Sequence, residues 1–168
     1  MLPSNHFDQR GRALMVDVSA KEPGLRTAVV QAQLKMQPET LSALLGGTIA
    51  KGDVLAVARL AGIGASKKTP DLIPLAHPLA LHHVAVEFAA TPGDDLLRIQ
   101  ATVTAYERTG VEMEAMVAAS TAAMVVYDMC KGSDRAMVIQ QIELVYKAGG
   151  RSGIFEREGA YDRSAFDS

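Results

Sequence analysis

Asp128 and Lys131 stand three residues apart near the end of one helical stretch, the pairing in this sequence best suited to moving a proton. Residues three apart share a helix face, so the two groups can meet. A carboxylate in the last turn of a helix opposes the helix dipole. A lysine beside it either holds it ionised or is itself lowered in pKa, and both arrangements serve general acid–base chemistry. A plain Asp–Lys surface pair has the same spacing, so the chemistry needs support from elsewhere in the chain. Glu112 and Glu114 open the same stretch, where acids are electrostatically favoured. Glu114 and Asp128 lie roughly 21 Å apart at about 1.5 Å per helical residue. One copy cannot bring both to a small-molecule pocket, so a site using both ends is shared between two copies. An antiparallel crossing near Thr121, where Ala118, Ala119, Ala122 and Ala123 cluster, would bring opposite ends together.

The second constellation is cationic. "KKTPDLIPLAHPL" (67–79) spaces Pro70, Pro74 and Pro78 four apart around Lys67, Lys68 and His77. Each proline fixes its own φ and restricts the residue before it, so the stretch reads as an ordered, irregular loop. The preceding "GIGASKKT" is not a phosphate loop: Lys67 stands where the second glycine belongs, and a helix rather than a strand leads in. "YKAGGRSG" (146–153) frees backbone N–H groups beside Lys147 and Arg151, a combination suited to an anion such as phosphate. With Arg26, Lys51, Lys67, Lys68 and Lys131, these cations cluster at element ends and point to a highly anionic small ligand. Metal binding is not expected. His82 and His83 are neighbours in a strand, face opposite ways and cannot join His77 on one ion.

The elements that must position these groups follow from periodicity. Residues 27–36 alternate apolar and polar, a half-buried strand. "PETLSALLGG" carries Pro38 and Gly46-Gly47 as helix start and stop signals, and a second helix is predicted over 52–67. "LHHVAVEFAA" and "LLRIQATVTAYE" alternate around the turn cluster "TPGDD" and predict a hairpin. A helix over 112–131 and a strand over 138–146 complete the order β-α-α-β-β-α-β. This is the split βαβ, ferredoxin-like α+β fold: a four-stranded antiparallel sheet with helices on one face. The helix over 112–131 is apolar nearly all round, more than one such sheet is expected to cover, which again implies self-association.

The 168 residues suit a single domain, with residues 1–12 and 154–168 expected to be flexible. Hydrophobic residues make up 48% and charged residues 21%, a globular balance, and the net charge of −2 argues against a nucleic-acid partner. No apolar run is read as membrane-spanning and no secretory signal is seen at the N-terminus. One cysteine, Cys130, fits a reducing compartment, and a cytoplasmic location is expected.

Four longer stretches carry a resemblance. "MVDVSAKEP", "KGDVLAVARLAGIGASKKTPDLIPLAHPL", "TGVEMEAMVAASTAAMVVYDMCK" and "KAGGRSG" are similar to the MoaC family of cyclic pyranopterin monophosphate synthases of molybdenum cofactor biosynthesis, over residues 15–153. The resemblance implies a ferredoxin-like fold, hexamers built as trimers of dimers, and an active site at a dimer interface. It implies a lyase that converts 3′,8-cyclo-7,8-dihydro-GTP into cyclic pyranopterin monophosphate and releases pyrophosphate. By this resemblance Asp128 is the catalytic acid/base, Lys51 and Lys131 are required, and Leu75, Ala76, His77, Met113 and Glu114 bind substrate. Glu112, Arg26, Lys67, Lys68 and Lys147 join them as substrate-binding candidates. No cofactor is required that the sequence shows, and Mg²⁺ accompanying the pyrophosphate group stays open. Ala76 replaces a cysteine common in the family's "LCHPL", and Arg151 replaces a frequent lysine, keeping the charge while changing its shape. The alternative from another class is a non-catalytic ferredoxin-like module that senses a nucleotide or acts as a scaffold.

Overall fold

Alternation in "RTAVVQAQLK" gives β1 (Gly24–Lys35) one face for a core, where Ala28, Val30, Ala32 and Leu34 are buried. The structure, a computed structural model, describes residues 7–8, 10–91, 93–158 and 166. The strand starts earlier than its periodicity indicates because Gly24, Leu25 and Arg26 pair with Glu107, Tyr106 and Ala105. Pro38 then opens α1 (Pro38–Leu45), and Gly46 caps it. The second helix, α2 (Val54–Ser66), is started by Asp53, whose carboxylate accepts the Ala56 N–H at 3.0 Å.

The proline stretch departs from the loop expected of it. One short helical turn, α3 (Thr69–Leu72), forms with Pro70 in its first turn, where a missing N–H costs nothing. Thr69 Oγ1 donates to the Ser66 carbonyl at 2.9 Å and joins the turn to α2. The rest of the stretch, up to residue 80, is irregular. Strands β2 (Leu81–Ala89) and β3 (Leu96–Glu107) form the expected antiparallel hairpin. After them come α4 (Glu112–Cys130), β4 (Val138–Ala148) and β5 (Phe155–Glu156).

The sheet order is β2-β3-β1-β4-β5 with antiparallel neighbours throughout, so its first four strands have the split βαβ arrangement. The fifth strand corrects the expected count of four. Glu156 pairs with Tyr146 and Phe155 with Lys147, inside a tail read as flexible. Two residues are too few to show a period. Residues 1–6, 9, 159–165 and 167–168, also expected to be flexible, lie outside the described residues.

A second correction concerns α4. Ala118, Ala119, Ala122 and Ala123 are fully buried within this one chain. The sheet covers one side of the helix, and α2 lies against another. A Cβ on Gly62 of α2 would stand 2.9 Å from the Ala118 carbonyl oxygen and 3.5 Å from the Ala122 Cβ, so glycine sets how closely the helices approach. The alanines are therefore covered by α2 and the sheet and are not free for a crossing of two copies near Thr121. Such a contact would have to use what remains exposed on α4, chiefly Met113 and Met124. The helix is also long and apolar enough to cross a membrane, contrary to the sequence expectation, but it is the core helix of this fold and half of it is buried.

Candidate functional site

The C-terminal end of α4 and the loop before α2 build a three-residue charge cluster. Lys131 caps the helix and places its Nζ 2.6 Å from Asp128 Oδ1, the contact its three-residue spacing anticipates. Lys51 arrives from the turn between α1 and α2. It donates to the Asp128 backbone carbonyl at 2.8 Å, with its Nζ 3.8 Å from Oδ2. The Asp128 carboxylate thus lies between two ammonium groups. The Lys131 hydrogen bond and charge, followed by the Lys51 charge, hold its pKa below the usual aspartate value. Asp128 in turn raises the Lys131 pKa, which favours the arrangement in which the lysine holds the carboxylate ionised over the one with a lowered lysine.

This ordering of causes sets a measurable expectation. Lys131→Met should let Asp128 titrate upward toward 3.8, and Lys51→Met should move it the same way by less. Carboxyl ¹³C chemical shifts followed against pH read both. A larger effect from Lys51 would contradict the geometry.

At the opposite end of α4 lies a cavity of about 910 Å³. Its walls carry five cations (Lys21, Arg26, Arg108, Lys147 and Arg151) and three acids (Asp17, Glu22 and Glu112). Lys147, on β4, places Nζ 2.7 Å from Glu112 Oε1 in the first turn of α4. Arg26, read from sequence as preceding the first strand, lies within β1 and is buried. Its Nε donates to the Glu107 carbonyl at 2.9 Å and an Nη to that of Arg108 at 3.4 Å. It makes no ion pair among the described residues, and a buried cation held only by carbonyls favours an anionic ligand. The turn above it needs glycine. Gly149 has φ +99 and Gly150 φ +77, and a Cβ on either would meet the Leu25 carbonyl or the Arg26 guanidinium.

His77 does not line this cavity but bonds to one of its wall residues. Its Nε2 stands 2.8 Å from the carbonyl oxygen of Val16, a cavity-lining residue, and since a carbonyl only accepts, the ring donates there. The Ala80 N–H, three residues on, donates to Glu107 Oε1 at 3.2 Å and holds the loop beside the end of β3. Leu75 and Ala76 precede His77 in the same loop and are half-buried, and neither lines the cavity. Met113 is exposed on α4 and Glu114 is buried. Lys67 caps α2 and Lys68 caps α3. Both are exposed, and this chain brings neither to the cavity nor to Asp128. His82 sits where the β2–β3 register shifts, and its Nδ1 accepts the Tyr106 N–H at 3.2 Å. The simple alternation assumed for His82 and His83 is therefore broken there.

Burial raises the Glu114 pKa, the nearby Glu112 charge adds to the rise, and its own backbone N–H partly offsets both. A carboxyl whose folded pKa is raised destabilises the fold as pH climbs through its ordinary value of 4.5. Glu114→Gln should therefore melt above the wild type at pH 7, with the gap closing as the pH falls below 4.5. Thermal unfolding at several pH values tests this; a variant that melts lower at neutral pH would show the carboxylate to be a stabilising group.

Sequence reasoning missed Asp17, Lys21, Glu22, Arg108, Thr109 and Gly110 as cavity residues. The run "MVDVSAKEP" contained the first three as a recognisable segment, but nothing in its pattern showed where it lay.

The MoaC family profile matches residues 15–150, which include the Lys51–Asp128–Lys131 cluster and nearly all of the cavity wall. The chain belongs to the MoaC family. Among the relatives of this MoaC family chain is the cyclic pyranopterin monophosphate synthase of Geotalea uraniireducens (strain Rf4). It is 64% identical over 92% of this chain and 96% of its own. The protein of the same description from Geobacter metallireducens (strain ATCC 53774 / DSM 7210 / GS-15) is 60% identical with the same coverage. That from Trichlorobacter lovleyi (strain ATCC BAA-1151 / DSM 17278 / SZ) is 54% identical over 93% of this chain and 98% of its own.

Proposed function

We infer that the chain is a cyclic pyranopterin monophosphate synthase acting in molybdenum cofactor biosynthesis. The observation that carries this reading is an aspartate held ionised between two lysines, in a chain 64% identical to a synthase of that description. The substrate is 3′,8-cyclo-7,8-dihydro-GTP. Asp128 and Lys131 move protons as water opens the purine-derived ring, which then closes into the pterin. A ribose-derived hydroxyl attacks the α-phosphate, the cyclic phosphate forms and pyrophosphate leaves. Charge developing on the phosphate oxygens is met by Lys51 and Lys147, with Arg26, Lys67 and Lys68 as further contacts to the anion. Leu75, Ala76, His77, Glu112, Met113 and Glu114 complete the binding surface. Mg²⁺, where it takes part, arrives with the substrate's pyrophosphate.

The two charge centres lie at opposite ends of α4, which supports a site composed from two subunits; the assembly in this reading is a homohexamer, a trimer of dimers. The enzyme is cytoplasmic in this reading, and its one thiol, Cys130, is buried in the core. The test is to incubate purified protein with the cyclic dihydro-GTP and assay pyrophosphate, with GTP as the control. Release from the cyclic compound alone is expected. Release from GTP would instead indicate a nucleotidase, and release from neither would favour the non-catalytic nucleotide sensor.

A further inference from the structure

Residues 14–23 form no helix or strand, yet residues 16, 17 and 20–22 wall the cavity. The segment's own bonds are few. Lys21 N–H donates to the Val18 carbonyl at 3.0 Å, and Ser19 N–H to Asp17 Oδ1 at 2.8 Å. Two side chains distant in sequence hold the segment to the rest of the fold. His77 takes the Val16 carbonyl, and Arg108 Nε donates to the Lys21 carbonyl at 2.8 Å. The Arg108 carbonyl also receives the buried Arg26 guanidinium, so three cavity cations are joined in series: Arg26 to the Arg108 backbone, and the Arg108 side chain to the Lys21 backbone.

We propose that Arg108 is a positioning residue for the anion cavity: its Nε–H clamps residues 16–22 as a wall, so that polyphosphate affinity depends on Arg108 through Lys21. The proposal rests on the reading of this cavity as the polyphosphate end of the site. An irregular segment with two internal bonds opens at little cost unless outside donors hold its carbonyls. Removing one such donor gives up a bond worth about 1 kcal/mol, roughly a three- to tenfold change in an equilibrium.

The test separates clamping from direct contact. Arg108→Gln keeps an N–H donor at nearly the Nε position and removes the charge, and Arg108→Met removes both. In the ligand-free, full-length protein, backbone amides of 18–22 should exchange faster in Arg108→Met than in wild type, while Arg108→Gln stays close to wild type. With inorganic pyrophosphate as the calorimetric probe, Arg108→Met should bind roughly three- to tenfold more weakly, and Arg108→Gln should recover most of that loss. Unchanged exchange in Arg108→Met overturns the clamp. Equal weakening in both variants overturns positioning and leaves direct charge contact. If wild type does not bind pyrophosphate, the polyphosphate reading fails and the affinity half of the proposal with it, whereas the exchange result still decides the clamp.

Discussion

Asp128→Asn is expected to lower turnover of the cyclic dihydro-GTP by about two to four powers of ten, the usual contribution of a positioned acid or base. The substitution keeps the shape of the side chain and removes the charge that two lysines surround. The carboxylate is exposed, so the melting temperature should barely move. The loss should fall on kcat rather than KM, because the carboxylate is needed for proton movement and is not itself a phosphate contact. Lys131→Ala should behave alike, and the double variant should lose little more than either single one, since the pair acts as a unit. Steady-state pyrophosphate release measures all three. An Asn variant within tenfold of wild type would falsify the acid–base assignment, and losses that multiply would show two independent groups.

Legibility in the sequence followed the range of the interaction. The Asp128–Lys131 contact is three residues long and was readable from helix geometry alone. So was the inner face of β1, where an apolar residue at every second position forces one side toward a core. Lys51 reaches Asp128 across the fold, and no spacing rule connects the two. Arg26 was placed just before the first strand rather than within it, since arginine is seldom buried. It is buried here because backbone carbonyls at the end of β3 receive it and two left-handed glycines lie over it. The cover of α4 was misjudged for a related reason. Gly62 lies in "GIGASKKT", which invites comparison with phosphate loops, whereas its effect is steric: it lets α2 approach the alanines of α4. Residues 16–22 have no period because two side chains from elsewhere, rather than a ladder, hold them.

Mixing two inactive variants should restore activity if the site is composed from two subunits. Within one chain the Asp128 cluster and the Lys147 cavity sit at opposite ends of a 19-residue helix, so one pocket cannot include both. In a two-fold dimer, each site would take its Asp128 end from one subunit and its Lys147 end from the other. Asp128→Asn alone spoils every site, and so does Lys147→Met. In a mixed dimer one site carries both substitutions and the other carries neither. Random reassembly of equal amounts makes half the dimers mixed, so about a quarter of wild-type activity should return. The control is decisive because it uses the same end twice: Lys51→Ala with Asp128→Asn leaves a defect in every site of a mixed dimer and should restore nothing. Equal recovery in both mixtures would point to exchange artefacts, and no recovery in either would place the reaction within a single subunit. A gain confined to the opposite-end pair has a simple explanation: the ends of α4 in neighbouring chains meet around one substrate.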